Sequence, residues 1–342
     1  MKIGVLAGGG DAPGLNAALK AVVMKSNEYG WETIGIRRGW TGLLDYDVQA
    51  LNPDIVKNIH SQGGIVLYTS RTNPFASENG PQKIMKNMKK LGITALVAMG
   101  GEDTLSVAQK LYEMGVSIVG IPKTIDNDIS STDYTIGFDT AVSIATEAID
   151  RLRTTAESHQ RVIIVEVMGR NTGWIALFAG LAGGAQIVLI PEVPYHLREI
   201  YKKLKKRHSK GEVYSIIVVS EGASPIDMKN AIIKSKEKDE FGHMRLGGIS
   251  QVLEKLIEEN TGFEARAVTL GHIQRSGAPT ACDRVLAARL GVKAVELIKE
   301  GKFGKMSSLQ GNDIISVPLK DAIAQRKTVS LELYNLVQSF LK

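Results

Sequence analysis

The sequence predicts an α/β fold in which helices cover both faces of mainly parallel sheets. Three observations carry that prediction. Short runs rich in Val and Ile recur at residues 3–7, 93–99, 116–121, 162–168, 186–190 and 215–219. They are nearly continuous rather than alternating, which is the pattern of strands buried on both faces. Segments with helical spacing lie between them, at 15–28, 104–114, 139–153 and 249–260, and such alternation builds parallel sheets. A chain of 342 residues, at ~150 residues per domain, divides into about two domains, each able to bury a core.

Composition narrows the functional classes. Hydrophobic residues make up 44% and charged residues 23% of the chain, ordinary for a globular protein and incompatible with disorder. The one cysteine, Cys282, excludes an internal disulfide and a Cys-rich zinc site. The start, Met1-Lys2-Ile3-Gly4-Val5, reads as a strand rather than a secretory leader, so the expected compartment is cytoplasmic. No apolar run approaches the ~20 residues of a membrane span, and no membrane partner is expected. The net charge of +6 permits an anionic partner without demanding nucleic acid. The basic run at 202–207 carries Leu204 within it, as in an amphipathic helix with a solvated outer face, so no nucleic acid is expected either. Glycine is the anomaly: 35 residues, about 10% against a usual ~7%, which calls for a local explanation.

Part of that excess sits in loops that follow predicted strands, where open α/β sheets place their ligands. Gly8-Gly9-Gly10-Asp11-Ala12-Pro13-Gly14 precedes a helix, so its backbone N–H groups could approach a phosphate; a tight turn without ligand would look the same. It is not a dinucleotide fingerprint, because Pro13 stands where the last glycine belongs, and no G-x-x-x-x-G-K-[ST] loop occurs in the chain. In Gly100-Gly101-Glu102-Asp103-Thr104 the two acids suit a helix start and equally a Mg²⁺ that bridges phosphate oxygens. In Pro122-Lys123-Thr124-Ile125-Asp126-Asn127-Asp128 two aspartates two apart on an extended segment project the same way. One could hold a metal while the other takes a proton, with Lys123 stabilising phosphate charge. Arginines in short polar clusters at 158–161, 168–170 and 266–275 are suited to bidentate phosphate recognition.

Taken together these segments resemble the phosphofructokinase family: residues 9–16, 100–104 and 122–128, with Ser-His-Gln-Arg at 158–161, Glu-Val-Met-Gly-Arg at 166–170 and Gly-His-Ile-Gln-Arg at 271–275. The resemblance implies two Rossmann-like three-layer α/β domains with mainly parallel sheets and an active site in the cleft between them. It puts 1–138 plus 252–305 in a phosphoryl-donor domain and 139–251 plus 306–342 in a sugar-phosphate domain. It implies Mg²⁺-dependent, reversible phosphorylation of fructose 6-phosphate at its 1-hydroxyl. In that reading Asp126 accepts the hydroxyl proton, Glu102 and Asp128 surround Mg²⁺, and Gly10 lies by the donor phosphates. Arg71 spans the transferring group, and Asp103 and Lys123 act with the catalytic set. Thr124, Asp126, Met168, Gly169, Arg170, Glu221, His272 and Arg275 contact the sugar phosphate. Arg161 and Arg266 match arginines that the family contributes across a subunit interface, which implies a homodimer or homotetramer.

Members of the family that use ATP usually carry glycine at the positions of Asp103 and Lys123, whereas members that use pyrophosphate resemble this chain at both. Asp103 brings bulk and negative charge to where a nucleotide would lie, and Lys123 supplies a cation for a pyrophosphate leaving group, so the expected donor is pyrophosphate. ATP is the alternative donor. Pyrophosphate-using members more often have Asp where this chain has Glu102. Arg153 and Lys210 resemble part of the family's effector site, but Met24 and Glu212 stand where basic residues belong, so regulation by nucleotide effectors is expected to be weak or absent. A remote alternative, an NADP-binding oxidoreductase, rests on Arg37-Arg38 after the predicted second strand. Neither G-x-S-x-G nor H-E-x-x-H occurs, leaving hydrolase chemistry without support.

Overall fold

Each apolar run expected as a strand forms one, because each is covered by helices that bury it. The computed structural model describes residues 1–228, 233–238, 240–242 and 244–341. In chain order its elements begin β1 (Lys2–Ala7), α1 (Leu15–Glu28), β2 (Glu32–Ile36), α2 (Trp40–Asp45), β3 (Val48–Leu51), α3 (Pro53–Val56), α4 (Gly80–Leu91), β4 (Ala95–Gly100), α5 (Glu102–Glu113) and β5 (Ile118–Pro122). Then come α6 (Phe138–Ser158), β6 (Val162–Val167), α7 (Trp174–Ala182), β7 (Ile187–Leu189), α8 (Leu197–His208), β8 (Ser215–Ser220), β9 (Ile233–Lys238), β10 (Met244–Leu246), α9 (Ile249–Thr261) and β11 (Ala265–Thr269). The chain closes with α10 (Ala281–Lys299), β12 (Lys305–Gln310), β13 (Asp313–Pro318), α11 (Leu319–Ile323) and α12 (Leu331–Phe340).

The chain divides into two compact units. The first comprises Met1–Thr140, Asp239–Gly242 and Arg275–Arg326. Its seven-stranded sheet runs β13-β12-β5-β4-β1-β2-β3, with β2–β3 and β12–β13 antiparallel and the remaining neighbours parallel. Period-two alternation sends Val5 and Val97 into a core with Leu19 of α1 and Leu290 of α10, and Leu6 and Leu96 into another with Leu105 of α5 and Ile84 of α4. These are the two covered faces of a three-layer unit. Strand β1 sits between β4 and β2, so the connections from β1 diverge there and a crevice opens at the carboxyl ends of β1 and β4.

The second unit comprises Ala141–Lys238, His243–Gln274 and Lys327–Lys342. Its sheet, β11-β6-β8-β7, is parallel throughout. Ile164 and Val219 pack with Leu253 and Ile257 of α9 and with Ile200 and Leu204 of α8. The basic run thus lies on α8, whose apolar stripe faces the core.

These boundaries depart from the sequence expectation: residues 139–140 and 239–242 fall in the first unit, and two longer segments change sides. Residues 252–274 fall in the second unit, because β11 pairs with β6. Residues 306–326 fall in the first, because β12 extends its sheet beside β5.

Candidate active site

In the first unit the loops after β1, β4 and β5 converge, and small side chains make that possible. Thr104, 2% exposed, fills the space between two of them. A Cβ on Gly8 would lie 2.5 Å from the Thr104 Oγ1, and one on Gly100 would lie 2.3 Å from its Cβ. Part of the glycine excess therefore has a packing cause. The Gly8 N–H donates to the Met99 carbonyl at 3.0 Å and the Gly9 N–H to the Ser70 carbonyl at 2.9 Å, while the Thr69 hydroxyl donates to the Gly9 carbonyl at 2.6 Å. Gly8 and Gly9 thus spend their N–H groups on the scaffold.

Lys123 braces that loop from beneath. It is 2% exposed, and its Nζ donates to the Gly8 carbonyl at 2.8 Å and to the Gly10 carbonyl. Burial, together with the charges of Arg275 and Arg71 and against that of Asp11, pulls its ammonium group down to about 7. Arg275 donates to the Asp11 carbonyl at 3.1 Å, and its guanidinium would be 3.0 Å from a Cβ on Gly10. Arg275, expected among the sugar-phosphate contacts, thus lies over the glycine loop. Arg71 is exposed and near enough to act on Lys123.

The acids approach from the other two loops. Glu102 and Asp103 occupy the first turn of α5, where the helix dipole favours negative charge. After β5, the Asp126 N–H donates to the Thr124 Oγ1 at 3.2 Å, and the Thr135 hydroxyl fixes the Thr124 carbonyl at 2.6 Å. Asn127 takes the positive φ of 50°, stabilised where its Oδ1 accepts from the Thr135 N–H at 3.1 Å. The turn sets Asp126 and Asp128 on either side of a buried Asn. Burial first, then the neighbouring charge of Asp126, pushes the Asp128 carboxyl up to about 7 against the pull of Arg326.

Arg326 was not among the residues singled out from sequence. Its Nη2 lies 2.7 Å from the Glu102 Oε2 and its Nε 3.7 Å from the Asp128 Oδ2. Nothing in Gln325-Arg326-Lys327 distinguishes it from an ordinary surface cation. Thr104 had a visible signal, since it ends the Gly-Gly-Glu-Asp-Thr segment.

The second unit brings together another set. Parallel pairing of Val167 with Ser220 sets Met168, Gly169 and Arg170 beside Glu221. The Ser220 hydroxyl donates to the Gly169 carbonyl at 2.5 Å, and the Gly222 N–H donates to the same oxygen at 3.2 Å. Gly169 has φ +135°, and a Cβ there would meet the Ser220 Oγ at 2.5 Å. The Met168 N–H donates to the Gln274 Oε1 at 3.3 Å, tying this turn to the short helix Gly271–Arg275 that carries His272. Arg161, the residue before β6, and Arg266 on the adjoining β11 share one acceptor: Glu264 Oε1 is 2.8 Å from the former and 2.5 Å from the latter. The Arg153 guanidinium donates to the Gly183 carbonyl. Among the described residues, no helix is long and apolar enough to cross a membrane.

Known proteins resemble the chain over its whole length. The family model described as Phosphofructokinase matches residues 2–298. The pyrophosphate–fructose 6-phosphate 1-phosphotransferase of Amycolatopsis methanolica is 53% identical over 342 residues, covering 99% of each chain. The ATP-dependent 6-phosphofructokinase 3 of Streptomyces coelicolor is 51% identical over 332 residues, covering 96% of each. The crystal structure of Pichia pastoris phosphofructokinase in the T-state superposes with a TM-score of 0.84 and 31% identity over 99% of this chain and 36% of that one, so the present chain spans about a third of that structure's length.

Proposed function

The chain belongs to the phosphofructokinase family, and on that premise we propose that it transfers a phosphoryl group reversibly from pyrophosphate to the 1-hydroxyl of fructose 6-phosphate, giving fructose 1,6-bisphosphate and phosphate. Relatives named for pyrophosphate and for ATP differ little in identity, 53% against 51%, so the donor reading rests on residue chemistry. The observation that carries it is Lys123, buried at 2% exposure beneath the Gly8–Gly10 loop, together with Asp103 in the first turn of α5. The Asp103 side chain brings bulk and negative charge to where a nucleotide would lie, and the Lys123 cation lies under the loop for the smaller anion, so ATP is disfavoured as much as pyrophosphate is favoured.

The residues fit a magnesium ion. Glu102 and Asp128 are hard oxygen donors that already converge on one cationic side chain, Arg326. Among the described residues no group of three or more His, Cys, Asp or Glu side chains is placed to hold a metal, so the protein's share would be a partial ligand set, as suits Mg²⁺ completed by phosphate and water. When bound, the ion supplies charge neutralisation at phosphate oxygens.

The chain's own residues do the rest. Asp126 accepts the proton of the attacking hydroxyl, and Thr124 helps to orient the sugar. Lys123 and Arg275 lie at Gly10, Arg71 is near Lys123, and together they stabilise charge on the transferring group and the departing phosphate. Met168, Gly169, Arg170, Glu221 and His272 hold the sugar phosphate. Arg161 and Arg266, kept as a pair by Glu264, serve a neighbouring subunit of a homodimer or homotetramer in the cytoplasm. Positioning and electrostatics suffice for this transfer.

Assaying the purified protein with Mg²⁺ and fructose 6-phosphate, using pyrophosphate and ATP in parallel, tests the reading. Pyrophosphate is expected to be the better donor; faster turnover with ATP would reverse the donor assignment.

A further inference from the structure

We infer that Arg326 is a resident counter-cation of the Glu102–Asp128 pair, and that it competes with the divalent metal for those carboxylates. The inference rests on the metal reading above and deepens it: the free divalent ion binds this chain weakly, because Arg326 already holds the carboxylates.

The placement of Arg326 comes from the backbone as well as from its long side chain. Leu319 and Ala322 of α11 are buried, at 0% and 1% exposure, which anchors the segment to the first unit. The Ser130 hydroxyl donates to the carbonyls of Asp321 at 2.8 Å and Ala322 at 3.0 Å, and Arg326 forms an isolated antiparallel bridge with Ile129. The residue next to Asp128 in the chain thus fixes the residue that carries the guanidinium. From there the side chain reaches both acids, 2.7 Å to Glu102 and 3.7 Å to Asp128.

Two physical arguments turn this contact into a competition. A guanidinium keeps its charge at any accessible pH, so it competes with a metal ion for these carboxylates across the whole working range. Two carboxylates alone offer Mg²⁺ too few ligands to repay its dehydration, whereas a phosphate-bound ion arrives with part of its oxygen shell in place. The ion pair is partly exposed, with side-chain accessibilities of 32% for Arg326 and 45% for Glu102. Its effect is therefore modest and displaceable.

Direct binding of Mn²⁺, followed by the loss of the free-ion paramagnetic resonance signal without pyrophosphate or sugar phosphate, tests the inference. Arg326→Met and Arg326→Gln are expected to bind Mn²⁺ roughly fivefold tighter than the unaltered protein, the scale of one partly exposed ion pair. Arg326→Lys should fall between them and the unaltered protein, and adding Glu102→Gln to Arg326→Gln should remove the gain. Equal or weaker Mn²⁺ binding by both neutral variants, with Glu102→Gln still weakening it, would overturn the competition and leave the metal reading standing. If Glu102→Gln and Asp128→Asn both leave Mn²⁺ binding unchanged, the metal reading falls, and the competition with it. Far-ultraviolet circular dichroism establishes that each variant is folded.

Discussion

The Nζ of Lys123 lies 2.8 Å from the carbonyl oxygen of Gly8, so a cation buried after β5 holds the loop that follows β1. Its hydrogen bonds to Gly8 and Gly10 make one residue both the brace of the loop and a source of charge for an anion above it. The two roles separate with pH. Below about 7 the side chain is charged and does both; above it the neutral amine still donates hydrogen bonds but no longer attracts the anion.

Lys123→Met should therefore weaken pyrophosphate binding most at low pH. The difference from the unaltered protein, measured by titration calorimetry from about pH 6 to about pH 9, should shrink as pH rises through the folded-state value. On stability the same charge acts with the opposite sign. Burying the charged form opposes folding fully below about 7, and that cost disappears as pH approaches the ordinary value of 10.5. A difference that widened with pH would contradict this assignment.

Asp103→Gly should admit ATP, since it clears bulk and charge from the start of α5, and adding Lys123→Gly should raise ATP turnover further while lowering turnover with pyrophosphate. Because the second change also removes the brace on Gly8 and Gly10, the double variant should lose pyrophosphate activity more steeply than it gains ATP activity. Steady-state rates with both donors check this.

Asp126→Ala should lower turnover roughly a hundred- to ten-thousand-fold, the usual range for losing a general base, with little change in fructose 6-phosphate affinity. Turnover and equilibrium binding need to be measured separately, because only the first reports the proton transfer. An intact rate would remove Asp126 from its role.

Gly100→Ala should destabilise the protein by about 2 kcal/mol through overpacking, because the new Cβ meets the Thr104 Cβ at 2.3 Å. In a Thr104→Gly background, which removes the Cβ it meets, the same change should cost under about 1 kcal/mol, a coupling typical of residues in contact. Urea denaturation of the four proteins completes the cycle.

Most of the scaffold was legible because buried parallel strands leave continuous apolar runs, and β6 and β8 are buried at every position. The site loops were legible because glycines and acids are unusual where a strand meets a helix. What escaped was produced by packing at long range. Arg326 meets Glu102 across 224 residues of chain, and its neighbours carry no pattern that marks it. The same holds for Glu264, whose link between Arg161 and Arg266 follows from the pairing of β6 with β11. Arg275 carried a recognisable motif, yet only the fold shows it over Gly10. The strands β12 and β11 were assigned to the opposite units because strand order in a sheet is not written in local sequence.

The segment that matches the family ends at residue 298, but the first sheet does not. Strand β12 covers the outer edge of β5 through Lys305 beside Val119 and Met306 beside Gly120. A fragment trimmed to the matched span would keep every motif residue and yet uncover Ile118–Pro122, a strand buried along its whole length in the full chain. An apolar edge left open in this way recruits strands from other molecules. Such a fragment is therefore expected to aggregate: the β12–β13 hairpin shields the first sheet from intermolecular pairing, although it contributes no residue to the family's motifs.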